Sequence, residues 1–431
     1  MAIQAVRGTS DLLGDDVKRW SAAEHAARRL ARLYGYAELR TPLIEDAKLF
    51  LRSLGETTDL IQKEMFQFKD RGDHDIVLRP EGTAPVVRAY LEHNLHKTQG
   101  FAKLFYLGPM FRAERPQAGR FRQFHQFGVE AIGSHSPWVD VEVIVLCQAC
   151  VRACGVTDAV TWLSSMGCRD DQQRSASELR SQLEDERTKL CPDCQKRFER
   201  NVFRVLDCRK DRCQNEARAA IARIRSKTGY PILCDSCTTH FDTVRGGLRD
   251  AGVTFDDTQV FARGLDYYTR TVFEVRAKGL GAQDAVAAGG RYDHLVEEFG
   301  GPPSGACGFA AGIERLLLAA TKPPSTETPP RQGIYLATAQ PAFVNEGFRF
   351  AQQLRALGVG AVLDYDGRSL KAQLREADKA GCRLVAILGE QELKRREVTV
   401  KDLEEGGPQD TIGFDVFAQE IAKRLKTTAC H

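Results

Sequence analysis

The stretch from Phe111 to Glu130, FRAERPQAGRFRQFHQFGVE, sets four arginines, three glutamines, a histidine and two glutamates among four phenylalanines and a valine. If the chain is extended from Phe121, residues of equal parity share a face. Arg122, Phe124, Gln126, Gly128 and Glu130 then line one side, and Gln123, His125, Phe127 and Val129 the other. The first side offers a guanidinium, a flat ring, an amide, bare backbone and a carboxylate in succession. Such a surface could stack a base, contact phosphate and bind an ammonium or a ring N–H. Arg112, Arg115 and Arg120 add positive charge around the turn. On alternation alone, an amphipathic hairpin with one face in water is the better explanation of the pattern.

A second group of reactive side chains lies further along. Six of the thirteen cysteines fall between Cys191 and Cys237, including the pairs CPDC (Cys191, Cys194) and CDSC (Cys234, Cys237) with 39 residues between them. Two C-x-x-C pairs can close one tetrahedral four-thiolate zinc site, so these four are the expected ligands of a structural Zn2+. The interval is longer than in a simple zinc ribbon, and LDCRKDRC adds Cys208 and Cys213. Reduced, partly buried thiols remain the alternative. An odd cysteine count in a chain of 431 residues does not suggest a secreted disulfide framework. The N-terminus lacks the basic-then-apolar layout of a signal peptide, and no apolar run approaches the roughly 20 residues that span a bilayer. These features point to a cytoplasmic protein without membrane attachment. The net charge of +3 is small, so any nucleic-acid surface must be local. Residues 180–230 supply one, with 14 Lys and Arg against 8 Asp and Glu.

The elements that must hold these groups can be read from periodicity. Asp15–Tyr34 carries apolar residues at helical spacing. LRTPLIED reads as a strand edge around Pro42. Ile76–Leu78 is a short strand, after which Thr83 suits a helix N-cap and Pro85 the first turn. KLFYLGPMFRAE and RFRQFHQFGVEAIG flank a PQAG turn and predict a long antiparallel hairpin. Asp140–Cys154 reads as a buried helix, and 170–245 as a charged, mainly helical insertion. Strands return from Val260. KPPSTETPPRQ, residues 322–332, is a proline-rich linker between residues 1–321 and 333–431. Beyond it, alternating strands and helices predict a small, largely parallel α/β domain.

FRAERPQAGRFRQFHQFGVE resembles motif 2 of class II aminoacyl-tRNA synthetases, in the form found in histidyl-tRNA synthetases. RGLDYYTRTVFE (Arg263–Glu274) and AAGGRYDHL (Ala287–Leu295) resemble signatures particular to that family. GFAAGIERL (Gly308–Leu316) is similar to motif 3 and the region around LRTPLIED to motif 1, and the matches run in order from Val6 to the C-terminus. The resemblance implies an α+β catalytic domain with a mixed, mostly antiparallel sheet, a mainly helical insertion and a C-terminal anticodon-binding α/β domain. It implies ligation of L-histidine to tRNA(His) through an adenylate formed from ATP with Mg2+. By the same resemblance Arg112 holds the α-phosphate, Arg263 faces it from the opposite side, and Arg315 with Arg120 holds the γ-phosphate. Phe124 stacks on adenine and Glu114 meets its exocyclic amine. Glu81, Thr83 and Gln126 take the histidine ammonium, and Glu130 and Tyr268 bracket the imidazole with Tyr292 close by. Tyr267 and Tyr268 are adjacent on an expected strand, so only one should face the pocket; the resemblance selects Tyr268. Gly289 and Gly290 would let backbone approach the ligand, though a plain turn also explains them. A homodimer through the motif 1 region is expected, because an open antiparallel sheet needs its flank covered. Two rival readings are a non-catalytic regulatory paralogue and a zinc-stabilised RNA-binding protein. The intact motif arginines and the C-terminal domain argue against the first, and the hairpin chemistry against the second.

Overall fold

The computed structural model describes residues 3–426, apart from 55–57, 59, 118, 207, 209, 228, 259–266, 281–283, 322–330, 366–367 and 407. Most of the expected linker, 322–330, and the expected catalytic Arg263 therefore lie outside the described residues. The chain divides into two compact units, Met1–Ser325 and Thr326–His431.

In the first unit, helix α1 (Asp15–Leu33) leads to β1 (Ala37–Glu38). A small antiparallel sheet follows, made of β2 (Ile44–Asp46), β3 (Phe66–Lys69) and β4 (Asp75–Leu78), with α2 (Ala47–Leu54) inside it. Helices α3 (Thr83–Glu92) and α4 (Leu95–Thr98) lead to the hairpin of β5 (Ala102–Phe111) and β6 (Gln123–Ile132), then to α5 (Pro137–Ala153) and β7 (Val160–Ser165). The insertion carries α6 (Arg169–Leu183), α7 (Pro192–Arg200) and α8 (Asp211–Lys227), whereas α9 (Asp235–Asp250), expected within it, belongs to the catalytic core, where Phe241, Val244 and Leu248 pack with α5. The unit closes with β8 (Phe255–Asp256), β9 (Thr269–Arg276), β10 (Ala285–Arg291), α10 (Leu295–Glu298), β11 (Ala306–Gly312) and α11 (Ile313–Ala319). Eight strands form one sheet in the order β1-β5-β6-β11-β10-β9-β7-β8. Only its outermost pairs, β1 with β5 and β7 with β8, are parallel.

Alternation in β6 divides the molecule as expected. Phe127, Val129 and Ala131 join the core beneath α1 and α5. Helix α1 contributes Trp20, Ala23, Ala27 and Ala31, a stripe at helical spacing whose small residues let it lie close to the sheet. Phe127 and Phe309 meet edge-on at 5.8 Å, and truncating such a buried ring costs about 3–5 kcal/mol. The other face of the sheet packs on α3 through Val86, Val87 and Tyr90 and leaves room for a cavity.

Local chemistry moves two expected boundaries. Helix α5 begins at Pro137 rather than Asp140, because Ser136 caps it by accepting from the Trp138 N–H at 3.3 Å and Pro137 fits the first turn. Thr83 is the first residue of α3 rather than its cap. The Glu81 carboxylate takes over, accepting from the N–H groups of Thr83 at 2.7 Å and Ala84 at 3.0 Å.

A buried polar knot joins α5, β10 and α9. The Arg291 guanidinium donates to both Asp140 oxygens and to the Ser134 and Ser136 carbonyls, and it also meets Asp293. His240 of α9 lies 3.4 Å from Asp140. Burial alone would raise the Asp140 pKa, but Arg291 and His240 outweigh it and hold the carboxyl below its ordinary range.

The insertion has its own small core, in which Leu179, Phe198, Val205 and Ile221 pack with Cys194, Cys208 and Cys213. The second unit is a five-stranded sheet covered by helices. Ile334–Thr338 pairs in parallel with Ala361–Leu363 and Leu384–Leu388, as expected. Glu397–Asp402 and Asp410–Gly413 then add antiparallel, so the sheet is mixed rather than largely parallel.

Candidate active site

Eleven of the twelve side chains given a role toward ATP or histidine above line one cavity of 1240 Å³ on the α3 side of the large sheet. They come from the turn before α3, the hairpin, the segment before β9, the end of β10 and the start of α11. The twelfth is Arg263.

One end of the cavity is cationic. Arg112 donates from Nε to the Pro80 carbonyl at 3.0 Å and stacks on Phe124, 5.1 Å from the ring centre. Arg120 forms an ion pair with Glu114, which also lies 4.0 Å from Arg112. Arg315 is anchored by the Ala285 carbonyl at 2.8 Å and the Gly119 carbonyl at 3.4 Å. Burial lowers the Arg315 pKa and the nearby Arg120 charge lowers it further. Guanidinium groups crowded in this way are stabilised by an anion between them, and phosphate oxygens match their planar forks.

The other end holds two buried carboxylates. Glu130, 1% exposed, accepts from Thr83 Oγ1 at 2.7 Å and from the Tyr292 hydroxyl. Its pKa is pushed up to about 8 by burial, against which Tyr292 and Thr83 hydrogen bonds pull only partly; the Glu81 charge adds to the rise. Burial also raises Glu81. A Cβ on Gly308 would lie 1.9 Å from Glu130 Oε2, so only bare backbone lets this carboxylate fold against β11. Gln126 Oε1 is buried and finds no hydrogen-bond partner among the described residues. Two carboxyls held above their ordinary pKa beside an unpaired amide oxygen form a site suited to a cationic, hydrogen-bond-donating ligand.

The two tyrosines depart from expectation. Tyr267 and Tyr268 precede β9 instead of alternating along it, and both line the cavity, their rings 4.8 Å apart. Tyr267 also meets Tyr292 at 5.7 Å. A turn lifts the parity rule that would have sent one of them away. Gly289 serves strand packing rather than the cavity, since its Cβ would meet the Gly308 carbonyl at 2.2 Å.

Sequence reasoning missed Trp162, Glu274 and Arg276, which also line the cavity. Arg276 lies 3.6 Å over Trp162 and pairs with Glu274 at 3.0 Å and Asp284 at 3.3 Å. A signal was present: in TVFEVR the two charges share parity on a strand whose other face is Phe273 and Val275. The insertion lines the cavity as well, through Arg197, Arg204, Lys210, Arg218 and Arg225.

The single thiolate site expected from Cys191, Cys194, Cys234 and Cys237 is not formed. Cys191 and Cys194 gather with Cys208 and Cys213, whereas Cys234 and Cys237 gather with Cys168 and Asp171. Spacing shows which thiols share a helix turn, but not which helix ends meet.

A sequence model described as Histidyl-tRNA synthetase matches residues 8–316, and one described as Anticodon binding domain matches residues 333–424. A histidine–tRNA ligase of Desulforamulus reducens is 43% identical over 408 residues, covering 94% of this chain and 95% of that protein. Another, from Moorella thermoacetica, is 45% identical over 406 residues and 94% of each chain. The crystal structure of apo S. aureus histidyl-tRNA synthetase matches with a TM-score of 0.78 at 32% identity, covering 98% of this chain and all of that one.

Proposed function

The chain belongs to the histidyl-tRNA synthetase family and charges tRNA with histidine, and from that premise we propose how its residues divide the work. Histidine enters the carboxylate end of the cavity, and ATP lies along the arginines. An oxygen of the histidine carboxylate attacks the α-phosphorus. A P–O bond forms as the bond to pyrophosphate breaks, leaving histidyl-adenylate. Arg112 offsets the charge growing on the α-phosphate, with Arg263 acting from the opposite side by resemblance. Arg315 and Arg120 hold the γ-phosphate, Phe124 stacks on adenine and Glu114 meets its amine. Glu81, Thr83 and Gln126 receive the ammonium, while Glu130, Tyr268 and Tyr292 read the imidazole. The terminal ribose hydroxyl of tRNA(His) then attacks the acyl carbon, loses its proton and displaces AMP.

Mg2+, when bound with ATP, would supply further positive charge at the phosphates. Glu274 and Asp284 are hard oxygen donors on the cavity wall that fit it. A structural Zn2+ in the insertion would serve its fold. The insertion's cationic lining supports contact with the acceptor arm of tRNA. Residues 333–431 read the anticodon, and 322–332 link them to the catalytic domain of residues 1–321. The protein works in the cytoplasm as a homodimer, and the apolar side chains of Leu43, Ile44 and Phe68, all more than 40% exposed near motif 1, support that pairing.

The convergence of residues from five separate segments on one cavity, cationic at one end and carboxylate-lined at the other, carries this reading. Histidine-dependent ATP–pyrophosphate exchange tests it. Exchange that is absent, or that ignores histidine, overturns it and would favour a non-catalytic relative.

A further inference from the structure

The insertion contains two separate groups of metal-ligating side chains, in each of which the donor atoms all lie within 4.8 Å of one another. The first brings together Cys191, Cys194, Cys208 and Cys213. Cys191 is the N-cap of α7 and Cys194 lies in its first turn, Cys208 lies before α8, and Cys213 is in the first turn of α8. The Cys191 and Cys208 sulfurs are 4.0 Å apart, and the Cys191 N–H donates to Cys213 Sγ at 3.3 Å. A disulfide needs about 2.05 Å between sulfurs. A tetrahedral zinc with Zn–S bonds of about 2.3 Å sets its sulfurs about 3.8 Å apart.

We propose that Cys191, Cys194, Cys208 and Cys213 bind one Zn2+ as a closed four-thiolate site that clamps α7 to α8. Ordinary core thiols would need neither four sulfurs converging from three segments nor an N–H aimed at one of them. Zinc binding releases four thiol protons and leaves a complex of charge −2. The surrounding segment, with 14 Lys and Arg against 8 Asp and Glu over 180–230, offsets that charge. A core as small as this one also needs a staple of this kind to hold its shape.

The second group carries a separate site by its own geometry. Cys168 and Asp171 occupy the N-cap and third position of α6, and Cys234 and Cys237 occupy the same two positions of α9. Asp171 accepts from the N–H groups of Cys234 at 3.0 Å and Cys168 at 3.3 Å. These bonds already draw the two helix starts together. A second Zn2+ held by the three thiolates and an Asp171 oxygen locks the point where the insertion leaves the catalytic fold to the point where it returns. Neither site depends on the catalytic reading, so both stand or fall independently of it.

The test is metal analysis of the full chain, expressed with added zinc and purified with a thiol reductant. Two zinc ions per chain are expected. Cys208→Ala should lower this to one, and Cys234→Ala should also lower it to one, whereas Cys382→Ala, in the other unit, leaves two. Cys208→His, which restores a ligand, should recover the first ion and so separate ligand loss from misfolding. Replacement by Co2+ should give the intense visible bands of tetrahedral thiolate coordination. Wild-type protein without zinc, or an intact mass showing disulfides among these cysteines, overturns both sites. Full zinc content in Cys208→Ala overturns the first, and full content in Cys234→Ala overturns the second.

Discussion

Glu130 is the residue with the most to lose or gain from pH. Its pKa of about 8 means that the empty pocket holds a proton at neutral pH, whereas an ionised carboxylate accepts an imidazole N–H more strongly than a protonated carboxyl does. Histidine affinity should therefore rise with pH between about 6.5 and 8, approaching tenfold per unit, and level off above. Titration calorimetry across that range checks this, and a flat profile would contradict it. Glu130→Gln should abolish that slope and weaken histidine by about tenfold to a hundredfold, with ATP affinity little changed. The same shift bears on folding. The folded pKa lies above the ordinary 4.5, so the stability contributed by burying the protonated group is complete below that value and lost as pH rises through about 8. Arg112→Ala should slow pyrophosphate exchange by about a hundredfold or more while leaving the fold intact, and Arg263→Ala should do the same. Near-normal exchange in either variant would remove that arginine from the reaction.

At the scale of elements, the hairpin was legible because alternation is a local property. Phe124, Gln126 and Glu130 line the cavity, and Phe127 and Val129 enter the core, as parity dictates. What could not be read depends on which elements meet. The chain does not announce that Glu81 rather than Thr83 caps α3, that a turn aims both tyrosines inward, or that the start of α6 meets the start of α9. The same holds for the knot around Arg291, whose partners Ser134, Ser136 and Asp140 lie more than 150 residues earlier in the chain. Arg291 and Asp140 are both completely buried, so removing Arg291 leaves the Asp140 carboxylate without its guanidinium and with only His240 beside it among the described residues. Arg291→Met should cost about 3–5 kcal/mol, and adding Asp140→Leu should recover part of the loss. Urea unfolding followed by tryptophan fluorescence measures this in the right unit, since Trp20, Trp138 and Trp162 all belong to residues 1–325. Equal stability of Arg291→Met and wild type would show the knot to be dispensable.

At the scale of the whole molecule, the two units have separate cores. Cutting the chain near Pro329 should spare pyrophosphate exchange and sharply reduce aminoacylation of tRNA(His). With 15 Lys and Arg against 14 Asp and Glu over 331–431, general attraction is weak and base contacts must carry recognition. Undiminished aminoacylation by the truncated chain would place anticodon reading elsewhere. Light scattering should report a homodimer, and a monomer at working concentration would refute the pairing at motif 1. The insertion leaves the catalytic fold at Cys168 and returns at Cys234, two residues whose sulfurs lie within 4.8 Å of each other. A detour whose ends coincide asks almost nothing of its host. Doubling its length costs only about 0.6 kcal/mol in chain closure. The segment can thus grow, shrink or be exchanged for another roof over the cavity without re-threading a strand, so this stretch of the protein is open to replacement in a way that the sheet beneath it is not.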